Sequence, residues 1–301
     1  MSIRKALMVG INAYLNAPLR GCVNDVLQIR DLLKDYYGFQ DQDFRLLLDD
    51  AATREGIIAG LQWLAEGGND TDAVRVFHYS GHGSYVADQN GDEPEGRDEC
   101  LVPYDYVTAK MIIDDALKEL YDRFPKSGNL TLVMDCCHSG SNNKAPGGKT
   151  YRFIPLSEEE QRRIDAAAAK FAEEQNAYIV GELRQVRGDQ MSEKDLAVMV
   201  RKLMGKFQKS RFGDIRTREA NILLAGCRPD QQAADARIAG GYHGAFTYYL
   251  ADVIKHANGQ ITYGDLADKV GESLYAHNFV QVPQVEYRGR RNQHLAFMPF
   301  P

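Results

Sequence analysis

An α/β fold, with a mostly parallel central sheet and helices on both faces, is predicted by three features of this 301-residue sequence. Short apolar runs alternate with helix-periodic stretches in a β-α-β-α order. Two of the runs end in turns that carry Ser, His and Cys, at the strand ends where open α/β sheets bind ligands. The 44% hydrophobic and 26% charged residues describe a globular chain able to bury one large core, which excludes a disordered or fibrous class.

The elements follow in chain order. Ala6–Ile11 is a buried apolar run. Val26, Ile29, Leu32 and Leu33 recur at helical spacing, and Gly38 supplies the stop. Phe44, Leu46 and Leu48 alternate as a strand, and Ile57, Ile58, Leu61 and Leu64 mark a second helix. Val74–Tyr79 is a strand running into Ser80-Gly81-His82-Gly83. A short helix is expected within Met111–Leu120. The strand Leu130–Met134 then runs into Asp135-Cys136-Cys137-His138-Ser139-Gly140. Residues 141–218 differ in character, with two Arg-, Lys- and Glu-rich helical patterns at Glu158–Ala177 and Ser192–Lys209, and read as an insertion. The sheet pattern resumes at Ile222–Ala225, followed by a helix over Ala245–His256 and strands near Val280–Tyr287 and Leu295–Phe297. A single domain is expected, with parts 1–140, 141–218 and 219–301.

Charge and cysteine content narrow the function classes. A net charge of −6 offers no basic surface to nucleic acid or acidic lipid, and suits a basic substrate. The apolar run at the start is too short for a signal or membrane segment. Five scattered cysteines show neither CxxC spacing nor a disulfide framework, so a reducing, cytoplasmic setting is expected.

The two strand ends carry the chemistry. A histidine after one strand and a cysteine after another are the halves of a thiol–imidazole pair, in which imidazole makes thiolate available and returns a proton to a leaving group. Strand alternation places Asp135 and Cys137 on one face and directs Cys136 to the other, where it reads as a small core residue. The carboxylate beside Cys137 can then hold a cation. Ser80 and His82 are likewise two apart and could share that cleft. Cys22 and Asp25 lie on one helical face, and Asp25 in a first turn also complements the helix dipole. His78 reads as packed within its strand, and His138 as a loop residue.

Tyr79-Ser80-Gly81-His82-Gly83-Ser84 and Asp135-Cys136-Cys137-His138-Ser139-Gly140 resemble the two catalytic motifs of the metacaspases. Gly21-Cys22-Val23-Asn24-Asp25 resembles their substrate-pocket motif. Ala225-Gly226-Cys227-Arg228-Pro229-Asp230-Gln231 and Gly244-Ala245-Phe246-Thr247 resemble their small-subunit motif. With no pro-domain pattern ahead of these motifs, the chain is most similar to prokaryotic members, the orthocaspases. The resemblance implies a caspase–hemoglobinase fold and a cysteine endopeptidase with His82 and Cys137 as dyad. The backbone N–H groups of Gly83 and Cys137 would hold the oxyanion. It implies an S1 pocket of Cys22, Asp25, Ser80 and Asp135, and cleavage after Arg or Lys; a place for Asp230 at the border of that pocket is the less favoured reading. Two carboxylates there suit a guanidinium or ammonium and repel an aspartate.

No cofactor is expected to be required. Asp114 and Asp115 match part of the family's calcium site, but Asn142-Asn143-Lys144 stands where an aspartate is expected, which argues against calcium activation. Asp88–Glu99 partly resembles an EF-hand loop, with Glu93 where glycine belongs, and reads as a solvated acidic loop. Self-processing is expected within the basic 141–218 segment, with Lys206–Arg218 as the favoured stretch. The expected partners are protein or peptide substrates with a basic P1 residue, and the expected state is a monomer. The alternative is a catalytically inactive caspase-like interaction module.

Overall fold

The computed structural model describes residues 2–68, 70–87, 97–121, 123–125, 128–137, 149–155, 157–159, 162, 166, 221–228, 231–287 and 291–299. The first half runs β1 (Arg4–Gly10), α1 (Cys22–Tyr37), β2 (Phe44–Leu48), α2 (Arg54–Ala65), β3 (Val74–Ser80), β4 (Gly83–Ala87), β5 (Arg97–Leu101), α3 (Tyr106–Ala109), β6 (Ile112–Ile113), α4 (Asp114–Tyr121) and β7 (Asn129–Asp135). The second runs β8 (Thr150–Tyr151), β9 (Asn221–Ala225), β10 (Ala234–Ile238), β11 (Gly241–Gly244), α5 (Ala245–His256), α6 (Tyr263–Ala276) and β12 (Gln284–Glu286).

The central sheet has the order β12-β9-β7-β3-β1-β2, parallel throughout except for β12. Its strands read as continuous apolar runs because both faces are covered. In β1, Ala6 and Met8 face the core under α1, α5 and α6, with Val26, Ile29, Leu250 and Leu266. Leu7 and Val9 face the opposite core under α2 and α4, with Ile57, Leu61 and Leu117. Each such fully buried Leu or Ile contributes roughly 1.5–3 kcal/mol. The helices begin and end on local signals. Thr53 accepts a hydrogen bond from the Gly56 N–H at the start of α2. Gly38 ends α1 with φ 70°, where its N–H reaches the Leu33 carbonyl.

The parallel register brings Gly10, Ser80 and Asp135 level at the carboxyl edge of the sheet. Two small antiparallel sheets, β4-β5-β6 and β11-β10-β8, flank this edge. The sequence pattern shows neither. The expected strand over Val280–Tyr287 shrinks to Gln284–Glu286, because Pro283 lacks an N–H and Val282 donates to the Gln231 side chain instead of to a ladder. Leu295–Phe297 is not a strand; Leu295 forms an isolated bridge with Thr262, and Phe297 has φ 57°. The short helix expected within Met111–Leu120 is α4, which begins at Asp114 after the paired Ile112-Ile113. The patterns Glu158–Ala177 and Ser192–Lys209 fall wholly or largely outside the described residues. No helix among the described residues is long and apolar enough to cross a membrane.

Candidate active site

His82 follows β3 and is clamped through its backbone. Its N–H donates to the Tyr14 hydroxyl at 3.0 Å, and its carbonyl accepts from the Tyr79 hydroxyl at 2.7 Å. The Tyr14 ring lies 4.6 Å from the imidazole. Nε2 is 2.7 Å from the Ala17 carbonyl. A carbonyl can only accept, so Nε2 carries the proton and Nδ1 is left with its lone pair. Nδ1 has no hydrogen-bond partner. Burial lowers the imidazole to about 4, against a smaller upward pull from the Ala17 carbonyl, so the ring is neutral at pH 7.

Cys137 follows β7 and is fully buried. Its Sγ accepts from the Ala233 N–H and lies with Phe153, Tyr85 and Cys227 in a small apolar cluster. Cys136 points the other way, into the core that contains Leu132 and Met134. Burial raises its thiol well above the ordinary range, which leaves it a poor nucleophile. His78 is packed inside β3 and held neutral, its pKa lowered to about 4 by burial.

Between these two residues lies a piece of the chain itself. Arg152 is fully buried, and its carbonyl accepts from the N–H groups of Gly83 at 3.0 Å and Cys137 at 3.2 Å. Its guanidinium enters a pocket at the sheet edge. Nη1 donates to Ser80 Oγ at 2.7 Å and to the Asp135 carbonyl at 3.1 Å, with Asp135 Oδ2 3.3 Å away. Nη2 donates to Asp25 Oδ2 at 2.7 Å and to Asp235 Oδ1 at 3.1 Å. Upstream, Thr150 and Tyr151 pair antiparallel with β10, and the Arg152 N–H donates to the Ala233 carbonyl. Downstream, the Ile154 N–H donates to the Gly83 carbonyl, and Ser84 Oγ donates to the Ile154 carbonyl. The segment is bound as an extended strand, as a polypeptide lies across a peptidase cleft.

The pocket's charge balance explains its occupant. One guanidinium faces three buried carboxylates, Asp25, Asp135 and Asp235. Burial raises Asp135 above its ordinary value, beyond what Arg152 offsets. At Asp25 burial also pushes upward, but Arg152, His243 and Ser80 outweigh it and leave that carboxyl low. For Arg152 the carboxylates overcome the burial penalty and hold the cation charged. Gly244 closes the wall: its N–H lies 3.0 Å from both Asp25 oxygens, and any side chain there would collide with Asp135 and Arg152. Thr247 fixes Asp135 Oδ2 through its N–H and hydroxyl.

Ser80, Asp25 and Asp135 thus meet around one cation, and Cys22 is buried beside Ser80. Asp235 was missed. Its signal is a carboxylate between Ala234 and Ala236 in a strand, and its other partners are the N–H groups of Arg20 and Gly21. Asp230, His138 and Asn142–Lys144 lie outside the described residues. Most of the acidic loop that begins at Asp88 also lies outside them, and its flanks are the strands β4 and β5 rather than helices. Asp114 and Asp115 open α4, and the described residues hold no cluster of three or more metal-donor side chains.

The family profile "Metacaspase, peptidase C14 domain" matches residues 4–146. Metacaspase-1 of Scheffersomyces stipitis is 31% identical over 98% of this chain and 73% of its own length. Metacaspase-1 of Pyricularia oryzae is 32% identical over 94% of this chain and 71% of its own. A crystal structure of a Geobacter sulfurreducens protein matches with a TM-score of 0.63 at 22% identity, covering 99% of both chains. Caspase-1 from Spodoptera frugiperda matches with a TM-score of 0.52 at 13% identity, covering 96% of this chain and 88% of its own. The chain therefore belongs to the metacaspase family of cysteine peptidases and has a caspase-like fold; the two curated relatives are fungal.

Proposed function

We propose that this metacaspase is an endopeptidase that cleaves after Arg or Lys, with Cys137 as nucleophile and His82 as its acid and base, and that it cuts itself between Arg152 and Phe153. The observation that carries the reading is the seat of Arg152. Its side chain fills an acidic pocket while its carbonyl accepts from the N–H groups of Gly83 and of Cys137 itself. Lys206–Arg218, the stretch favoured from sequence, lies outside the described residues.

The mechanism follows from the groups present. Cys137 Sγ passes its proton to Nδ1 of His82 and attacks the P1 carbonyl carbon. The developing oxyanion keeps the hydrogen bonds from Gly83 and Cys137, now to a charged acceptor and therefore stronger. Collapse breaks the C–N bond, and Nδ1 returns the proton to the leaving amine. Water, deprotonated by the same nitrogen, then hydrolyses the thioester. An aspartate at P1 would place a fourth carboxylate among three, and a neutral residue would leave them without a counterion. In this reading the chain acts as a monomer, since the three-residue β12 offers a second copy little ladder. A cytoplasmic setting fits five buried, unbridged cysteines.

The test pairs fluorogenic peptides ending in Arg, Lys or Asp with intact-mass analysis of the chain. Wild type and Cys137→Ala are compared, each with calcium and with chelator. We expect Arg and Lys peptides to be cut, masses that place a break after residue 152, and both activities to fall at least about 10³-fold in Cys137→Ala. Activity in chelator would exclude a calcium requirement. Cleavage after Asp would sink the pocket assignment, and no cleavage under any condition would favour the inactive module.

A further inference from the structure

Upstream of the pocket the bound strand meets a second feature built to hold a cation. Residues on one side of an extended strand recur every second position. Arg152 enters the acidic pocket, while Tyr151 and Lys149 line a separate cavity of about 190 Å³ on the other side, against Asn278, Phe279 and Gln281. Lys149 Nζ donates to the Asn278 carbonyl at 3.1 Å and stands 4.1 Å from the centre of the Phe279 ring. A carbonyl oxygen and an aromatic face both attract an ammonium, and neither offers anything to a carboxylate.

The site is held in place independently of the lysine. Asn278 sits just past the end of α6 with φ 61°, and the Phe279 N–H returns to the Leu274 carbonyl. The site therefore adjoins the carbonyl end of that helix, where the partial charge is negative. Phe279 packs edge-on against Tyr249, whose ring stacks on His277. Gln281 ties the loop to the sheet, donating to the Gly226 carbonyl and accepting from the Ala234 N–H. Gln231 binds the same loop through the Val280 carbonyl and the Val282 N–H.

We infer that Asn278 and Phe279 form an S4 subsite for a basic residue, so that the preferred substrates carry Lys or Arg three residues before the cleaved Arg or Lys. The inference rests on the proposed P1 reading and extends it. Lys149 is the P4 residue of the chain's own strand, Thr150 and Tyr151 are P3 and P2, and Arg152 is P1. The S1 pocket answers a guanidinium with full carboxylates. The S4 subsite answers with partial charges in an open cavity, so its selectivity is smaller.

The test uses acetylated Xaa-Thr-Tyr-Arg coumarylamides with Lys, Arg, Ala or Glu as Xaa, and an acetyl-Arg amide that reports P1 alone. Ratios of kcat/KM between peptides do not depend on how much enzyme is unblocked. On wild type we expect Lys and Arg to exceed Ala by about tenfold, with Glu below Ala. Phe279→Leu keeps apolar bulk without the ring and should reduce the Lys-to-Ala ratio to about threefold. Lys149→Ala should slow self-cleavage after Arg152, with Lys149→Arg close to wild type. A Lys-to-Ala ratio within twofold on wild type, or one unchanged in Phe279→Leu, overturns the subsite even if acetyl-Arg amide is cut. If no Arg-ending peptide is cut, the P1 reading falls and the subsite falls with it.

Discussion

Among the described residues two arginines, Arg75 and Arg152, are fully buried, and their surroundings are opposite. Arg75 lies on β3 and donates to three backbone carbonyls, those of Leu64, Glu66 and Gly68, all within eleven residues of it in sequence. It ties off the carbonyl end of α2 and is part of the scaffold. Arg152 lies beside a two-residue strand and is held by Asp25, Ser80, Asp135 and Asp235, from 17 to 127 residues distant. The carbonyls around Arg75 are fixed parts of the scaffold and take charged hydrogen bonds from this one side chain. Three carboxylates at the sheet edge need a cation or, once the strand lifts away, water beside them. The first arrangement holds one particular arginine for folding. In the proposed reading the second is a receptor for a cation, which Arg152 fills as an occupant.

The strongest test of this contrast is stability, measured as urea midpoints in a Cys137→Ala background so that the chain stays whole. Arg75→Ala should cost about 3 kcal/mol, because buried carbonyls lose charged donors and cannot leave the core. Arg152→Ala should cost about 1 kcal/mol or less, because the strand can lift out and water can enter the cleft. A loss of 3–5 kcal/mol at Arg152 is the signature of a broken structural ion pair and would erase the distinction.

A smaller effect sharpens the receptor side. Asp235→Asn keeps the side-chain shape and one acceptor oxygen for the Arg20 or the Gly21 N–H, and removes one of three carboxylates facing the cation. KM for Arg-ending peptides should rise about tenfold with kcat nearly constant, since the lost interaction is made equally in ground and transition states. An unchanged KM would remove Asp235 from the pocket.

The smallest effect is set by pH. His78 and His82 titrate near 4 in the folded protein and near 6.5 when unfolded, in both cases because burial disfavours the charged ring. The unfolded chain therefore binds more protons between those values. The stability is fully present above about pH 6.5 and is lost as pH falls toward 4. Lowering the pH from 7 to 5.5 should cost about 1 kcal/mol per histidine. Hydrogen exchange should accelerate around the cleft before it does around Arg75, whose carbonyl partners do not titrate in this range. Equal acceleration at both places would show that the loss is global.

The main strands and their helices were legible because their signals are long and local. Short runs rich in Val, Leu, Ile and Phe identify β3, β7 and β9, and the 3.6-residue period identifies α1, α2 and α5. The hairpin β10–β11 was not seen, although Ala239-Gly240 turns it with positive φ at both residues. Its strands are too short and too mixed in polarity for a two-residue period to stand out. α6 was also missed, although Thr262 caps it by accepting from the Asp265 N–H.

At the site, sequence alone determined the residue types and their faces: His82 and Ser80 two apart after one strand, Cys137 and Asp135 two apart at the end of another. That followed from strand alternation, which is local geometry. Only the tertiary structure decided that Asp235 completes the acidic pocket, that the Ala17 carbonyl sets the His82 tautomer, and that Arg152 is the basic residue seated there. These contacts join segments tens to hundreds of residues apart, and no periodicity encodes them. They depend on where the parallel register brings the strand ends, and on a two-residue ladder to β10 that exists only once β10 has folded beside the cleft.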